Sequence, residues 1–361
     1  MERKIGGARL ALTFAGCFLG AGYVSGQELW QYFGAFGGMG LPGLAAALAL
    51  LGGVSLVLLR LSARTGIETM DALLIRADIP WLRTAVGALA ALLLFGVVCI
   101  MTAGIGALLE QMLGVPAWLG CAGAVALIAV CAWFGLGGMM AVFTVAVPCL
   151  VVAALAISGV QLHRAGADAV RFTGGGENPM LGNWLLSAVN YAAYNFFASV
   201  GILAPLAAQL RRKSTAGWGV LGGCALLALI ALGVLCALAT APESLAAELP
   251  MHDLACRLGA AAGAIYAVLL FLGMFGTAVS SLVAVMTYAG QKSAALRARR
   301  AVLLPALALL AFAGSLFGFG DLIGVVYPVY GYFGAAAMLL VLEHAYRVRR
   351  RSRHSISAQA R

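Results

Sequence analysis

The chain has 361 residues, of which 63% are hydrophobic and only 10% charged, with a mean hydropathy of +1.00. A soluble globular protein carries about 25% charged residues, so a water-soluble globule is excluded. The formal net charge of +10 would suit a nucleic-acid partner only if it were clustered on one surface, so its distribution along the chain decides its meaning.

Apolar runs of the roughly 20 residues that a membrane-crossing helix needs recur from end to end. Ten spans are predicted, at 8–36, 39–61, 84–109, 115–134, 138–162, 182–206, 216–240, 258–289, 301–319 and 321–346. They leave no room for a separate soluble domain, and the expected fold class is an all-α polytopic membrane protein. The first run follows a charged MERK, as a secretory signal does. It lacks a convincing small-residue cleavage site and continues through Gln27 and Glu28 into more apolar sequence, so it reads as a retained helix.

Within that first span, GCFLGAGYVSGQELW at 16–30 places glycine at 16, 20, 22 and 26, immediately before Gln27 and Glu28. Gly16/Gly20 and Gly22/Gly26 have the spacing that lets two helices approach closely. Packing does not explain Glu28, the one acidic residue deep in a predicted span. Intramembrane carboxylates mark a solute pathway, a proton relay or a paired cation. The alternative is a helix that emerges into a water-filled vestibule there. A broken helix unites the two features. Unwinding around Gly20–Gly22 frees carbonyls for a cation and amides for an anion, and such backbone is tolerated only beside a cavity. Glycine accepts the backbone angles this requires. The half-helix beginning near Ser25 would then direct its positive end at a substrate carboxylate or at Glu28 itself.

Between spans five and six lies the most polar long loop, HRAGADAVRFTGGGENP at 163–179. Ten spans divide into five and five, and an odd number per half makes the second half enter the membrane from the opposite side. Related halves would therefore be inverted repeats. The expected organisation is one membrane domain over 1–361, with a first five-helix repeat at 1–163 and an external loop at 164–181. A second repeat follows at 182–346, then a basic tail at 347–361. The halves share no convincing residue-level similarity; the repeat rests on the count and on the odd character of the first helix in each half.

The sixth span carries Asn183, Ser187, Asn190, Tyr191, Tyr194 and Asn195 at steps of three and four, hence on one face, with Gly201 and Pro205 late in the run. Such a stripe is expensive against lipid and should face protein or water; interhelical hydrogen bonding is the plainer alternative. The polar segment PESLAAELPMHDLACR at 242–257 reads as an external re-entrant or surface helix able to cover an opening, or as a connector. In span eight, Thr277, Ser280 and Ser281 stand at i, i+3 and i+4, a set of hard oxygen donors suited to Na⁺. Hydroxyls in membrane helices also bond back to their own helix. In span ten, Tyr327 and Tyr330 precede Gly331 and Gly334, with Pro328 able to bend the helix; aromatic packing is the favoured reading of the two tyrosines.

With the N-terminus inside, only Arg164, Arg171 and Arg257 of the 23 basic residues fall on outer segments. That bias is a topology signal. It predicts that both termini are cytoplasmic, with a tail, RVRRRSRHS, lying against anionic lipid heads and not on nucleic acid. Seven of the eight cysteines sit inside apolar spans, with Cys256 alone near a membrane face, and none forms a CxxC or a zinc-type Cys/His cluster. No cofactor and no obligatory protein partner is evident.

GAGYVSGQE at 20–28 and NYAAYN at 190–195, with the span count and topology, resemble the amino acid–polyamine–organocation superfamily of LeuT-type 5+5 transporters. Within it, the chain is most similar to the YkvI-like bacterial membrane proteins. The resemblance implies discontinuous helices 1 and 6 enclosing a substrate, and a sodium ion between helices 1 and 8. Carried onto this sequence, it implies ion-binding carbonyls at Gly16, Leu19 and Thr277 and ion-binding hydroxyls at Ser280 and Ser281. Gly20, Ala21, Gly22, Tyr191, Tyr194 and Asn195 would line the substrate pocket, joined by Gln27 and Glu28. The Gln27–Glu28 pair departs from the sodium-coupled pattern, and Glu28 could carry a proton instead.

The expected function is ion-coupled secondary transport of a small organic solute, an amino acid or related amine, by alternating access. A solute sensor that keeps the fold without turnover is the alternative. An enzyme is not expected. GYVSG at 22–26 has Tyr23 where a nucleophile elbow needs glycine, and His163, His252, His344 and His354 all lie near membrane faces or in the tail.

Overall fold

In the computed structural model the described residues are 6–67, 73–74, 80–134, 139–176, 178–207, 210, 213–293, 296 and 298–359. Seven of the basic residues counted above, Arg3, Lys4, Arg76, Arg211, Arg212, Arg297 and Arg361, lie outside them.

Thirteen α-helices account for the regular structure of the described residues. The first predicted span is three short helices, α1 (Gly7–Phe18), α2 (Ala21–Ser25) and α3 (Gln27–Tyr32). A 3₁₀ segment, Gly34–Met39, leads into α4 (Gly40–Thr65). Then come α5 (Pro80–Leu113), α6 (Ala117–Phe134) and α7 (Met139–Ala165). The second half holds α8 (Trp184–Leu206), α9 (Lys213–Ala239), the short α10 (Pro250–Leu258), α11 (Ala260–Lys292), α12 (Arg300–Ser315) and α13 (Phe319–Gln359). Among the described residues, eight helical segments are long and apolar enough to cross a membrane, and two shorter apolar helices, α1 and α12, occupy the places of predicted spans one and nine.

The packing has an internal symmetry. The first span (α1) lies on the seventh (α9), and the sixth (α8) lies on the second (α4). Likewise the third packs on the ninth (α5 with α12) and the eighth on the fourth (α11 with α6). The fifth packs on the eighth (α7 with α11) and the tenth on the third (α13 with α5). Each pair maps onto its counterpart when five is added to or removed from the span number, as a five-plus-five repeat requires.

Small residues and redirected hydrogen bonds explain the tight contact of α13 with α8. A Cβ at Gly331 would overlap the Asn190 amide, and one at Gly334 the Ala193 carbonyl. Only glycine lets the two helices approach so closely. Pro328 has no N–H for the Gly324 carbonyl one turn earlier; the Asn178 side chain supplies a replacement donor, Nδ2 to O at 2.6 Å.

Two expectations are corrected here. The sixth span is not discontinuous: α8 is one continuous helix through Gly201, ending beyond Pro205 at Leu206. Its central stretch has neither glycine nor proline before Gly201, so every interior amide can keep its helical partner. Asn183 does not belong to the polar stripe but caps α8, accepting from the Leu185 and Leu186 amides at 3.0 and 2.9 Å.

Candidate functional site

The first span breaks where the glycines predict, and then breaks again. At Leu19 and Gly20 the chain leaves helical geometry (ψ 73° and 172°). The Gly20 amide donates to Phe18 O at 2.9 Å instead of Gly16 O, and the Tyr23 amide to Gly20 O at 3.1 Å instead of Leu19 O. The carbonyls of Gly16 and Leu19 thereby lose their helical partners. At Gly26 the chain turns through φ +85°, a conformation costly for any residue with a Cβ. The orphaned carbonyls at the end of α2 find side-chain donors: Ser25 Oγ to Gly22 O at 2.9 Å and Tyr266 Oη to Val24 O at 2.6 Å. Tyr23, whose hydroxyl donates to Leu227 O at 2.7 Å, ties α2 to α9.

This second break was missed by sequence reasoning, and it removes one expectation. The segments after the first break have five and six residues; α3 begins at Gln27 and not near Ser25. Helices this short carry little of the macrodipole that was to face an anion. The Gly16/Gly20 pair is not a packing surface, since a Cβ at either would meet nothing within 4 Å, whereas one at Gly26 would meet Leu238 and Met251 of the neighbouring helices.

Glu28 lies in the first turn of α3 and is 5% exposed. It does not open into a vestibule. The Tyr194 hydroxyl from α8 donates to its Oε1, and Tyr191 lies within hydrogen-bonding reach of the same carboxylate. Its Oε2 folds back over the break and would stand 2.8 Å from a Cβ at Gly22. Among the described residues no Lys, Arg or His pairs with it.

Aromatic rings enclose this carboxylate. Tyr194 stacks on Tyr327 with centroids 4.7 Å apart and planes 14° apart, and meets Tyr191 edge-on at 5.5 Å. Tyr32 packs on both, at 5.3 Å from Tyr191 and 5.7 Å from Tyr194. Tyr32 Oη donates to Asn190 Oδ1 at 3.1 Å, Asn190 Nδ2 to Pro328 O at 2.9 Å, and Ser187 Oγ to Tyr32 O at 2.6 Å. The stripe of α8 thus faces protein, bonded to α3 and α13. Tyr32 was absent from the expected site although it lies at i+4 from Glu28, on the same face. Tyr327, expected as packing, forms the opposite wall.

Of the expected substrate residues, Gly22, Glu28, Tyr191 and Tyr194 come together. Gly20 and Ala21 form the break beside them. Asn195 turns back on its own helix, donating to Tyr191 O at 3.0 Å. Gln27 points instead to the start of α13, its Nε2 2.6 Å from where Gly320 would carry a Cβ. On α11, Thr277 Oγ1 donates to Gly273 O at 2.8 Å and Ser280 Oγ to Gly276 O at 2.9 Å. Both hydroxyls follow the back-bonding pattern yet keep oxygen lone pairs for a cation. Ser281 is buried. No hydrogen bond among the described residues joins these three to the first break.

The segment 242–257 covers the second break. α10 buries Met251, His252 and Leu254, and Met251 Cγ would lie 3.1 Å from a Cβ at Gly26. The imidazole of His252 holds α10 to the end of α5, Nδ1 to Gln111 Oε1 at 2.9 Å; its Nε2 is 3.6 Å from Cys256 Sγ. Just before α10, Glu248 Oε2 accepts from the Gly320 amide at 2.6 Å, capping α13.

No family model matches the chain. It is similar to the uncharacterized membrane protein YkvI of Bacillus subtilis, 25% identical over 341 residues that cover 93% of this chain and 95% of that one. A second Bacillus subtilis protein, the uncharacterized YyaD, is 32% identical over 114 residues, 32% of each chain. Two crystal structures of an Eremococcus coleocola manganese transporter, both variants, superpose with TM-scores of 0.52 and 0.51 at 12% and 13% identity. Each covers 93% of this chain and 78% of that transporter. The fold is LeuT-type. At such identities the likeness is one of fold, and the chemistry of this chain must be read from its own residues.

Proposed function

We propose that this chain is an ion-coupled secondary transporter of a small organic solute bearing an ammonium group, an amino acid or a related amine, and that it works by alternating access. It acts in a bacterial cytoplasmic membrane with both termini in the cytoplasm, as the basic segments require. The reading rests on one observation: beside a backbone break with two carbonyls stripped of their helical partners lies a buried carboxylate without a cationic partner, ringed by tyrosines. Such a site is rich in acceptors and π faces, which suits a cation. Gly20, Ala21, Gly22, Glu28, Tyr191 and Tyr194 bind the solute in this reading, while Gln27 and Asn195 stand at its margins. The carbonyls of Gly16, Leu19 and Thr277 and the hydroxyls of Ser280 and Ser281 hold Na⁺ if sodium is the coupling ion; Glu28 carries the proton if it is not.

The neighbouring transporter's manganese is not carried over. Among the described residues no three of His, Cys, Asp and Glu come together, and a divalent transition ion is ordinarily held by several such donors.

Uptake into proteoliposomes across a panel of amino acids and amines, with imposed sodium or proton gradients, tests the proposal. Gradient-driven accumulation of at least one ammonium solute is expected. Glu28→Gln should lower it by more than about tenfold, the weight of a charge-assisted hydrogen bond, with folded protein unchanged. Replacing Ser280 and Ser281 together by Ala should raise the sodium requirement if sodium drives uptake. Thermal stabilisation by a solute without flux would favour the sensor; flux indifferent to every gradient would remove coupling.

A further inference from the structure

Between α6 and α12 the molecule carries an open apolar groove of about 680 Å³, walled by Val125, Ala129 and Trp133 on one side and Ala308, Leu309 and Phe312 on the other. Its rims are exposed: Trp133 is 46% and Leu309 70% accessible. α6 is itself a candidate span, so this groove faces hydrocarbon, and acyl chains are the material that fills it.

Beside the groove is a cavity of about 430 Å³ lined by Thr287, Gln291 and Arg300. The guanidinium of Arg300 is fixed there. Its Nη2 donates to Ala132 O at 2.8 Å and Trp133 O at 3.0 Å, at the exposed end of α6, and it lies 5.6 Å from the Trp133 ring centre. No carboxylate pairs with it among the described residues. Consecutive residues border the two hollows, Ala132 and Leu303 lining the cavity and Trp133 and Leu304 the groove.

Helix length sets the depth of this charge. At 1.5 Å per residue, the 16 residues of α12 rise about 24 Å, less than the roughly 30 Å of a hydrocarbon core. A short helix draws the membrane surface inward, bringing lipid headgroups to the level of Arg300.

The geometry points to a binding site for an anionic phospholipid, its phosphate held by Arg300 with Thr287 and Gln291 and its acyl chain laid in the α6–α12 groove. The fixed, uncompensated cation selects a headgroup of net negative charge. This site is separate from the Glu28 centre and independent of what is transported.

The test is native mass spectrometry of the full-length protein in detergent, with phosphatidylglycerol and phosphatidylcholine of matched acyl chains added separately. Phosphatidylglycerol should be retained in preference. Arg300→Gln should lower its retention about fivefold, the weight of one basic residue at a membrane surface, and lower that of phosphatidylcholine, whose choline already offsets the phosphate charge, by less, so that the preference narrows. Ala308→Trp, which fills the groove and keeps the charge, should lower retention of both lipids. Equal retention of the two lipids by the unmodified protein would overturn the proposal. So would an unaltered preference in Arg300→Gln, or a dimer of the chain carrying no lipid. Should Arg300→Gln fail to fold, undiminished retention by Ala308→Trp has the same force.

Discussion

At the scale of single residues, the four glycines of the first span do different work from one another. Gly16 and Gly20 have open space where a Cβ would sit, Gly22 has the Glu28 carboxylate at 2.8 Å, and Gly26 has a backbone only glycine adopts easily. Gly22→Ala should therefore displace the carboxylate from Tyr194 and lower uptake of whichever solute the unmodified protein accumulates. Gly16→Ala should leave uptake within about twofold, its methyl meeting nothing. Equal effects of the two in one proteoliposome assay would contradict this arrangement of Glu28. Sequence alone made Glu28 conspicuous, because a carboxylate in an apolar run is expensive. It could not say that the partners would be Tyr194 and Tyr191 of α8. Nor did it foresee Tyr32 or the stacking of Tyr327, since ring contacts between residues far apart in the chain leave no local pattern.

At the scale of elements, the contrast between the first and sixth spans follows from where each places its helix breakers. Glycines scattered through the first permit two breaks. The sixth concentrates Gly201 and Pro205 near its end and stays continuous. The break at Gly26 offers a direct check. Gly26→Ala should cost about 1–2 kcal/mol for the left-handed backbone, and more because the new Cβ would lie 2.6 Å from Leu238 Cδ1 and 3.1 Å from Met251 Cγ. A lower thermal midpoint in detergent is expected, with Gly16→Ala as the neutral comparison; an unchanged midpoint would remove the second break. The helix after it, α3, then owes its position to side chains and not to chain continuity: Glu28 to Tyr194, Tyr32 to Asn190, and Gln31 Nε2 to Gly320 O at 2.9 Å.

At the scale of the whole molecule, α10 covers the second break, and its docking should respond to pH. Burial pushes the His252 imidazole below its ordinary value of 6.5, partly offset by Asp253. Around it stand Gln111 on α5, Cys256 on α10 and Asp253, whose carboxylate is itself paired with Arg257 at 2.7 Å. An undocked His252 takes up a proton as pH falls through 6.5, whereas the docked one resists it. Docking is therefore intact above that value and weakens from there down toward the lowered docked value. Protection of the amides across 250–258, corrected for the intrinsic pH dependence of exchange, should fall as pH is lowered from about 6.5, and His252→Gln should abolish the change. By itself the sequence determined that the chain is a membrane protein, roughly where its apolar helices lie, and that the first would not be unbroken. Those properties follow from apolar length, the charge bias and glycine placement, each of which acts within a few turns of chain. Only the tertiary structure decided which groups surround Glu28 and that α10 covers the second break. Hydrogen bonds and ring contacts between helices depend on approach and rotation, and those are fixed when small residues such as Gly331 and Gly334 let one helix settle against another.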